Sequence, residues 1–236
     1  MRKVFKSFWS LRDVVPIGSK YLTTTCHFHI GGFFTAINIM DRAITYVFNH
    51  GPDLENDSVK TIELLYQEIH MFQPKFVICG SHHLVLLSQS NLRINWNLSS
   101  VTTVMPMGST VPLTLYEDLK KKFENLSIIY NMYGMSEVTG LISSSISIQN
   151  LGTVAQGVIV KIVDPNTGCV CDANEVLRNK NSKRTNLHTV SHKNYQQVGE
   201  IMAKMDFYMK GYLNRPEENE IFFANDGFIH TGDLGL

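Results

Sequence analysis

A tyrosine, a glycine, a serine and a glutamate lie within five residues of one another near the middle of the chain, at Tyr133, Gly134, Ser136 and Glu137. The glycine allows the backbone to approach a ligand closely, and the tyrosine ring offers a flat face to a purine base. The serine hydroxyl can donate to a phosphate oxygen, and Mg²⁺ prefers hard oxygen ligands such as a carboxylate. These residues predict a nucleotide-binding loop. The alternative is an ordinary strand exit with a solvated glutamate.

A second polar group stands at the end of the chain, where residues 230–235 read His-Thr-Gly-Asp-Leu-Gly and include Asp233. It is preceded by Met-Lys-Gly-Tyr-Leu-Asn-Arg-Pro-Glu at 209–217 and by an Asn-Asp-Gly turn at 225–227. In this order, and from about residue 25 onward, the chain resembles the adenylate-forming ligases: acyl-CoA synthetases, coumarate-CoA ligases and firefly luciferase. The family's loop reads Tyr-Gly-x-Thr-Glu, so Ser136 replaces a threonine and keeps the hydroxyl.

The resemblance implies an AMP-forming acid-CoA ligase. In that reaction a carboxylate attacks the α-phosphorus of MgATP with loss of pyrophosphate, and the sulfur of coenzyme A then displaces AMP. The implied cofactors and co-substrates are ATP or AMP, Mg²⁺ and coenzyme A, and the implied substrate is a fatty or aromatic carboxylic acid. The implied roles are adenine contact by Tyr133 and Gly134, α-phosphate contact by Ser136, Mg²⁺ binding by Glu137, and hydrogen bonds from the ribose hydroxyls to Asp233.

Two further segments match the family's pockets. His29 matches the catalytic-site histidine that borders the acid, although Cys26 stands where proline is usual. Without the family resemblance, the alternative for His29 is a structural role. Thr110, Val111 and Pro112 match the Gly-Gly-Ala-Pro-Leu floor of the adenine pocket, where Thr110 replaces a glycine. A β-branched residue resists positive φ and close ligand approach, so this position predicts weakened nucleotide binding.

Some parts of the family pattern are not found in this sequence. There is no Ser/Thr/Gly-rich phosphate loop, and no hinge arginine or lid lysine follows Leu236. Removing one preorganised donor costs roughly 10²–10³ in rate. We therefore expect a truncated chain, inactive alone, whose sister subdomain and C-terminal lid are missing. The alternative is a non-catalytic remnant that binds a nucleotide or a partner. The surviving positions predict that AMP or an adenylate binds in preference to ATP.

Alternating helices and strands must position these residues in the first part of the chain. Strands are predicted at 20–26, 76–79 and 101–105, with helices at 58–73 and 82–90 and another beginning at 112. This alternation is typical of a parallel sheet covered by helices. The prediction is an α/β fold with an incomplete parallel sheet over residues 1–150. The adjacent His82 and His83 cannot face the same way on a helix, which favours structural or surface roles over a metal site.

The second part of the chain, residues 151–236, has a different pattern. Strands at 158–163 and 199–204 and a turn at 164–168 predict antiparallel pairing. The resemblance identifies this part as a small antiparallel β-barrel subdomain. Residues 177–197 hold five Lys/Arg and no acid, and they are predicted to be a disordered insertion. A retained intron, a genuine basic loop and a basic partner-binding segment are the alternatives for its origin.

Composition excludes several classes of function. The formal net charge is zero and the pI is about 7.1, so nothing points to nucleic acid or to an anionic membrane. No run approaches the roughly 18 apolar residues of a transmembrane helix. Cys26, Cys79, Cys169 and Cys171 show no Cys-x-x-Cys pairing and are predicted to be core thiols in a reducing compartment. We expect an intracellular protein, with peroxisomal and cytoplasmic locations both left open.

Overall fold

The computed structural model describes residues 16–25, 28–33, 36, 45–48, 58–89, 96–109, 111–138, 140–146, 150–171 and 198–235. They divide into two compact units. The first takes its residues from 11–132 and 145–151, and the second takes the bulk of its residues from 133–144 and 152–236. The boundary predicted after residue 150 stays a prediction. Cys26, Thr110 and the predicted insertion at 177–197 lie outside the described residues.

The first unit is built on a five-stranded parallel sheet in the order β2-β1-β3-β4-β5. Its strands are β1 (Lys20–Thr23), β2 (Thr45–Phe48), β3 (Phe76–Gly80), β4 (Thr103–Met107) and β5 (Ile128–Ile129). Register places one apolar residue from each of β1, β3, β4 and β5 in a single row across the sheet, namely Leu22, Val77, Val104 and Ile129. All four are buried. The predicted parallel sheet is confirmed.

Helices that the structure describes in full follow strands of this sheet: α1 (Ser58–Phe72), α2 (Ser81–Gln89) and α3 (Leu113–Lys122). Their apolar residues form one core with the row on the sheet, including Leu65, Ile69, Leu84, Leu115 and Leu119. The alternate residues of the strands form a second cluster of Tyr21, Phe76, Ile78, Met105 and Tyr130. Successive strand side chains point to opposite faces, so both faces of the sheet are apolar.

The second unit carries antiparallel strands. β7 (Gly140–Ser145) lies between β6 (Asn131–Met135) and β8 (Thr153–Val154) in one three-stranded sheet, and β7 pairs antiparallel with β8. β10 (Gly199–Lys204) lies between β9 (Ile159–Val163) and β11 (Ile229–Gly235) in the other. A short helix, α4 (Pro216–Phe222), connects β10 to β11. The described strands form open sheets, so closure into a barrel stays a prediction.

The loop predicted from Gly134 onward is wrong in detail. Gly134 lies inside β6, and the chain leaves the strand only at a 3-10 turn, Ser136–Val138. β6 is completed by its neighbour β7, which begins at Gly140. Gly134 was predicted to end the strand, but pairing with β7 keeps this glycine within β6.

Among the described residues, no helix has the length and apolar character required to cross a bilayer.

His83 gives the first unit a pH-dependent stability. Its ring is buried on α2, where Nδ1 lies 3.2 Å from the Thr24 hydroxyl. Burial, helped by the neighbouring His82, lowers the pKa of His83 from 6.5 to about 4. The histidine is therefore neutral in the folded chain at neutral pH. The structural role predicted for this residue agrees with its burial.

We expect acidification to lower the free energy of unfolding between pH 6.5 and about 4. In this window the unfolded chain binds a proton at His83 that the folded chain does not, so the stability present above pH 6.5 is lost as the pH falls. Urea unfolding at about pH 7 and about pH 5 measures the loss. A His83→Gln variant should show a shallower pH dependence, and an identical slope in this variant would contradict the assignment.

Candidate functional site

Two of the predicted nucleotide-binding residues meet in the second unit. Tyr133 on β6 and Asp233 on β11 are 100 residues apart in sequence, and the Tyr133 hydroxyl donates to Asp233 Oδ2 at 2.7 Å. Burial raises the pKa of Tyr133, and the Asp233 carboxylate acts in the same direction. The phenol therefore stays protonated and remains a donor. The Asp233 carboxylate keeps a second oxygen, which can accept hydrogen bonds from a diol.

Asp233 is held in place by a bulge within β11, residues 230–233, which we call the Asp233 turn. Gly232 adopts a φ of 75°, which favours glycine, and its N–H donates to Glu200 Oε1 at 3.1 Å. The other oxygen of Glu200 lies 2.8 Å from His230 Nδ1. Thr231 Oγ1 donates to a backbone carbonyl of β10 and accepts from the Asp233 N–H at 3.2 Å. The Glu200 carboxylate on β10 thus contacts both the Gly232 backbone and the His230 side chain.

Glu137 is oriented by a segment that follows β10. The Tyr212 hydroxyl donates to Glu137 Oε1 at 2.8 Å, and the Met209 N–H donates to the Glu137 carbonyl at 2.6 Å. Burial, followed by the hydrogen bond to Glu137, raises the pKa of Tyr212 to about 12. Asn219 on α4 fixes the backbone of Tyr212, since its Oδ1 accepts from the Tyr212 N–H and its Nδ2 donates to the Tyr212 carbonyl. The orientation of the Glu137 carboxylate is therefore set by Tyr212 and Asn219, which are distant from Glu137 in sequence.

The remaining predicted residues of the second unit are Gly134 and Ser136. Both are exposed, and Ser136 opens the 3-10 turn that carries Glu137. The second unit therefore brings together five of the predicted residues: Tyr133, Gly134, Ser136, Glu137 and Asp233. They present an aromatic ring, a hydroxyl and two carboxylates, which suit a base, a phosphate, a metal ion and a ribose.

Three other predicted residues lie in the first unit. His29 is exposed, and its Nδ1 accepts a hydrogen bond from the Gly31 N–H at 3.1 Å. Val111 is buried and Pro112 is exposed at the N-terminal cap position of α3. The roles assigned to these residues stay predictions.

The sequence reasoning missed two residues that organise the site. Tyr212 stood in a recognised segment but received no role, because its contact with Glu137 spans 75 residues. Glu200 was noted only as a strand residue, although it supports the Asp233 turn from 32 residues away in sequence. Their residue type is the local signal that pointed to them, since a tyrosine hydroxyl can donate a hydrogen bond and a carboxylate can accept one.

The fit of Mg²⁺ can be judged from the carboxylate chemistry. Among the described residues, no three His, Cys, Asp or Glu side chains are clustered to hold an ion. Mg²⁺ is usually bound by one or two carboxylates together with water and substrate phosphates, rather than by a protein-only cage. Glu137, with one oxygen oriented by Tyr212, fits a metal ion of that kind.

Comparison with known proteins identifies the family. A model of the AMP-binding enzyme family matches residues 2–213. The chain is similar to 4-coumarate-CoA ligase 1 of Solanum tuberosum, with 31% identity over 159 residues, covering 64% of this chain and 25% of that ligase. The chain thus matches about a quarter of the length of this curated relative.

Solved structures show the same fold. A luciferase-like enzyme from the mealworm Zophobas morio matches 98% of this chain and 48% of its own length, with a TM-score of 0.69 and 23% identity. O-succinylbenzoate coenzyme A synthetase from Bacillus subtilis, solved with ATP and magnesium, matches 98% of this chain and 42% of its own length, with a TM-score of 0.65 and 22% identity. The resemblance drawn from the sequence is confirmed, and the chain belongs to the AMP-binding enzyme family.

Proposed function

We propose that the protein is, or is part of, an AMP-forming acid-CoA ligase. The observation that carries this proposal is the pair of hydrogen bonds from Tyr133 to Asp233 and from Tyr212 to Glu137. They orient the two carboxylates that the family chemistry assigns to ribose and metal. In the proposed reaction a substrate carboxylate oxygen attacks the α-phosphorus of ATP and pyrophosphate leaves. The thiol of coenzyme A then attacks the acyl carbonyl, loses its proton, and AMP leaves.

Each residue of the second unit has a distinct role in this proposal. The Tyr133 ring packs on the adenine beside Gly134, and Asp233 accepts from the ribose hydroxyls. The exposed hydroxyl of Ser136 donates to the α-phosphate. Glu137 binds Mg²⁺, which when present neutralises charge on the phosphates. Positioning and charge neutralisation supply most of the catalysis in phosphoryl transfer.

The family motifs assign the remaining roles. By that resemblance, His29 is assigned to the carboxylic acid, and Thr110, Val111 and Pro112 are assigned to the adenine. The substrate class is an aromatic or fatty carboxylic acid. Coumarate-CoA ligases among the relatives support the aromatic class. Coenzyme A is the second substrate.

Calorimetry with AMP and ATP tests the binding part of this proposal. We expect AMP binding by the chain, weakened at least tenfold in an Asp233→Asn variant, since hydrogen bonds to charged groups contribute about 1.5–3 kcal/mol. An Asp118→Asn variant on the exposed surface of α3 is the matched control. Absence of AMP binding would overturn the proposal. AMP binding without ATP-pyrophosphate exchange, over a panel of aromatic and fatty acids, would favour the non-catalytic alternative.

A Tyr212→Phe variant tests the positioning of Glu137. The change removes the hydroxyl that donates to Glu137 and keeps the ring, whose centroid lies 5.7 Å from that of Phe222 in an edge arrangement. We expect the apparent affinity for Mg²⁺ in the ATP complex to fall by about tenfold or more, as for other residues that orient metal ligands. Metal-free AMP affinity should not change.

The control is Tyr208→Phe, whose ring packs near Phe223. Calorimetric ATP titrations at several Mg²⁺ concentrations measure the effect. Equal losses of AMP and MgATP affinity in the Tyr212 variant would show a general structural defect and would refute the positioning role.

A further inference from the structure

The hydrogen bond between Tyr133 and Asp233 joins two residues that the proposed function assigns to different parts of the nucleotide. The Tyr133 ring is assigned to the adenine and the Asp233 carboxylate to the ribose. The Tyr133 hydroxyl donates to Asp233 Oδ2 at 2.7 Å, and both residues belong to the second unit. The group proposed for the base and the group proposed for the sugar are therefore linked within the protein itself.

The Asp233 carboxylate can accept from a diol while it holds Tyr133. An ionised carboxylate is an acceptor only, with about four lone-pair sites on its two oxygens. Tyr133 occupies one of these sites. The 2′ and 3′ hydroxyls of ribose supply two donors, and about three sites remain for them. The tyrosine hydroxyl therefore does not have to be displaced when a ribose binds.

The backbone of Asp233 and its side chain are fixed by separate contacts. The Asp233 N–H donates to Thr231 Oγ1 at 3.2 Å, and Thr231 Oγ1 donates to the Ile201 carbonyl at 2.6 Å. The side chain of Asp233 is exposed, and within the described residues its carboxylate receives a hydrogen bond from Tyr133. An exposed carboxylate samples several rotamers when it has no partner. The bond to Tyr133 selects one of them.

The direction of this hydrogen bond is fixed by the protonation of the phenol. Burial raises the pKa of Tyr133, and the negative charges of Asp233 and Glu200 act in the same direction. The phenol is therefore a donor throughout the neutral pH range. A hydroxyl that donates to a carboxylate forms a charge-assisted bond, roughly twice as strong as a neutral one. Such a bond is strong enough to hold the carboxylate before any ligand arrives.

We propose that the Tyr133 hydroxyl determines sugar specificity: it holds the Asp233 carboxylate toward the two ribose hydroxyls, so that the chain prefers a ribonucleotide to a nucleotide without the diol. This inference rests on the proposed function, which takes ribose as the ligand of Asp233. The hydroxyl acts through Asp233 and is a positioning group. Base and sugar recognition are coupled, because the ring and the hydroxyl belong to one side chain.

The coupling predicts a difference between two kinds of ligand. A nucleotide with the diol gains from a carboxylate that is ordered before binding. A nucleotide without the diol forms no hydrogen bond to Asp233 and gains nothing from its orientation. Removal of the tyrosine hydroxyl should therefore weaken binding of the first ligand only, whereas a general structural defect would weaken binding of both.

Affinities of the whole chain for AMP and for 2′,3′-dideoxy-AMP, measured by competition with ligand-observed NMR, test the inference. We expect the parent to bind AMP at least about tenfold more tightly, as expected for hydrogen bonds to a charged group. In a Tyr133→Phe variant, which keeps the ring, AMP affinity should fall by about three- to tenfold, within the range for coupled residues. Its affinity for the dideoxy nucleotide should equal that of the parent.

Two further variants make the measurement specific. Tyr208→Phe is the matched control, since it removes a tyrosine hydroxyl elsewhere in the second unit and should leave both affinities unchanged. Asp233→Ala changes an exposed residue and should abolish the preference for AMP over the dideoxy nucleotide. In the Asp233→Ala background, the additional Tyr133→Phe change should have no effect on AMP affinity, because the hydroxyl has lost the group that it positions.

The possible results separate this inference from the proposed function. If the parent binds AMP and the Tyr133→Phe variant keeps the full preference for AMP, the inference is wrong and the ligase proposal stands. Equal losses for both ligands would show that the hydroxyl supports the structure of the unit, and would also overturn the inference. A parent chain that binds no AMP would overturn both. Melting curves confirm that the variants are folded.

Discussion

A Glu137→Gln variant is expected to lose the Mg²⁺ dependence of ATP binding. The amide keeps the shape of the side chain and can still accept from Tyr212, which donates at 2.8 Å in the parent protein. It removes the negative charge that a hard divalent cation requires. In an enzyme containing this chain, loss of one such electrostatic group should lower the rate by about 10²–10³.

The measurement is calorimetric titration with ATP, with and without Mg²⁺. The matched control is Glu217→Gln, an exposed carboxylate in the first turn of α4. AMP affinity without metal serves as an internal control, and it should change little in both variants. If the glutamine variant retained the full Mg²⁺ enhancement, Glu137 would have no role as a metal ligand.

A Leu119→Ala variant is expected to lower the free energy of unfolding of the first unit by about 2–5 kcal/mol. Leu119 on α3 is 0% exposed and belongs to the core between the helices and the sheet. The change removes apolar contacts and leaves a cavity that close-packed neighbours fill only in part. Typical domains are stable by only 5–15 kcal/mol, so the loss is a large share of the total.

Leu113→Ala on the same helix is the matched control. Leu113 is 52% exposed, and the same change there should alter stability by less than about 0.5 kcal/mol. Urea unfolding followed by circular dichroism compares the two variants. Similar midpoints for both would mean that α3 does not pack on the sheet as described.

The fold was largely predictable because its first unit follows local rules. The apolar residues of α1 recur at helical spacing, and the strands that supply Val77 and Val104 are short, largely apolar runs that contain β-branched residues. The extent of β6 depends on pairing with a strand later in the chain, which local sequence patterns do not predict. β6 continues through Gly134 because it pairs with β7 in the sheet that also contains β8. The sequence of residues 131–135 alone does not predict this pairing.

The site was predictable to the extent that it lies in short ordered segments. Tyr133 and Glu137 were singled out by their types, and Asp233 by the family resemblance that the order of the segments carries; the roles of all three stay predictions. Tyr212 and Glu200 were not singled out, because their roles depend on contacts that span 75 and 32 residues.

The prediction that all the cysteines are core thiols is wrong for two of them. Cys169 is exposed and Cys171 is partly buried, because they lie at the end of a short hairpin that pairs with β9 across a turn. Cys79, buried within β3, agrees with the prediction.

The Asp233 turn has a consequence for the thermodynamics of ligand capture. Its N–H groups at Gly232 and Asp233 are bonded by side chains of Glu200 and Thr231, independently of any ligand. Fixing one residue of a loose loop costs roughly 1–2 kcal/mol in conformational entropy. A turn ordered in advance avoids that cost on binding, and it raises the fraction of molecules ready to bind. The apparent dissociation constant is the intrinsic constant divided by that fraction. If Asp233 binds the ribose as proposed, Glu200 therefore strengthens nucleotide binding without contacting the nucleotide.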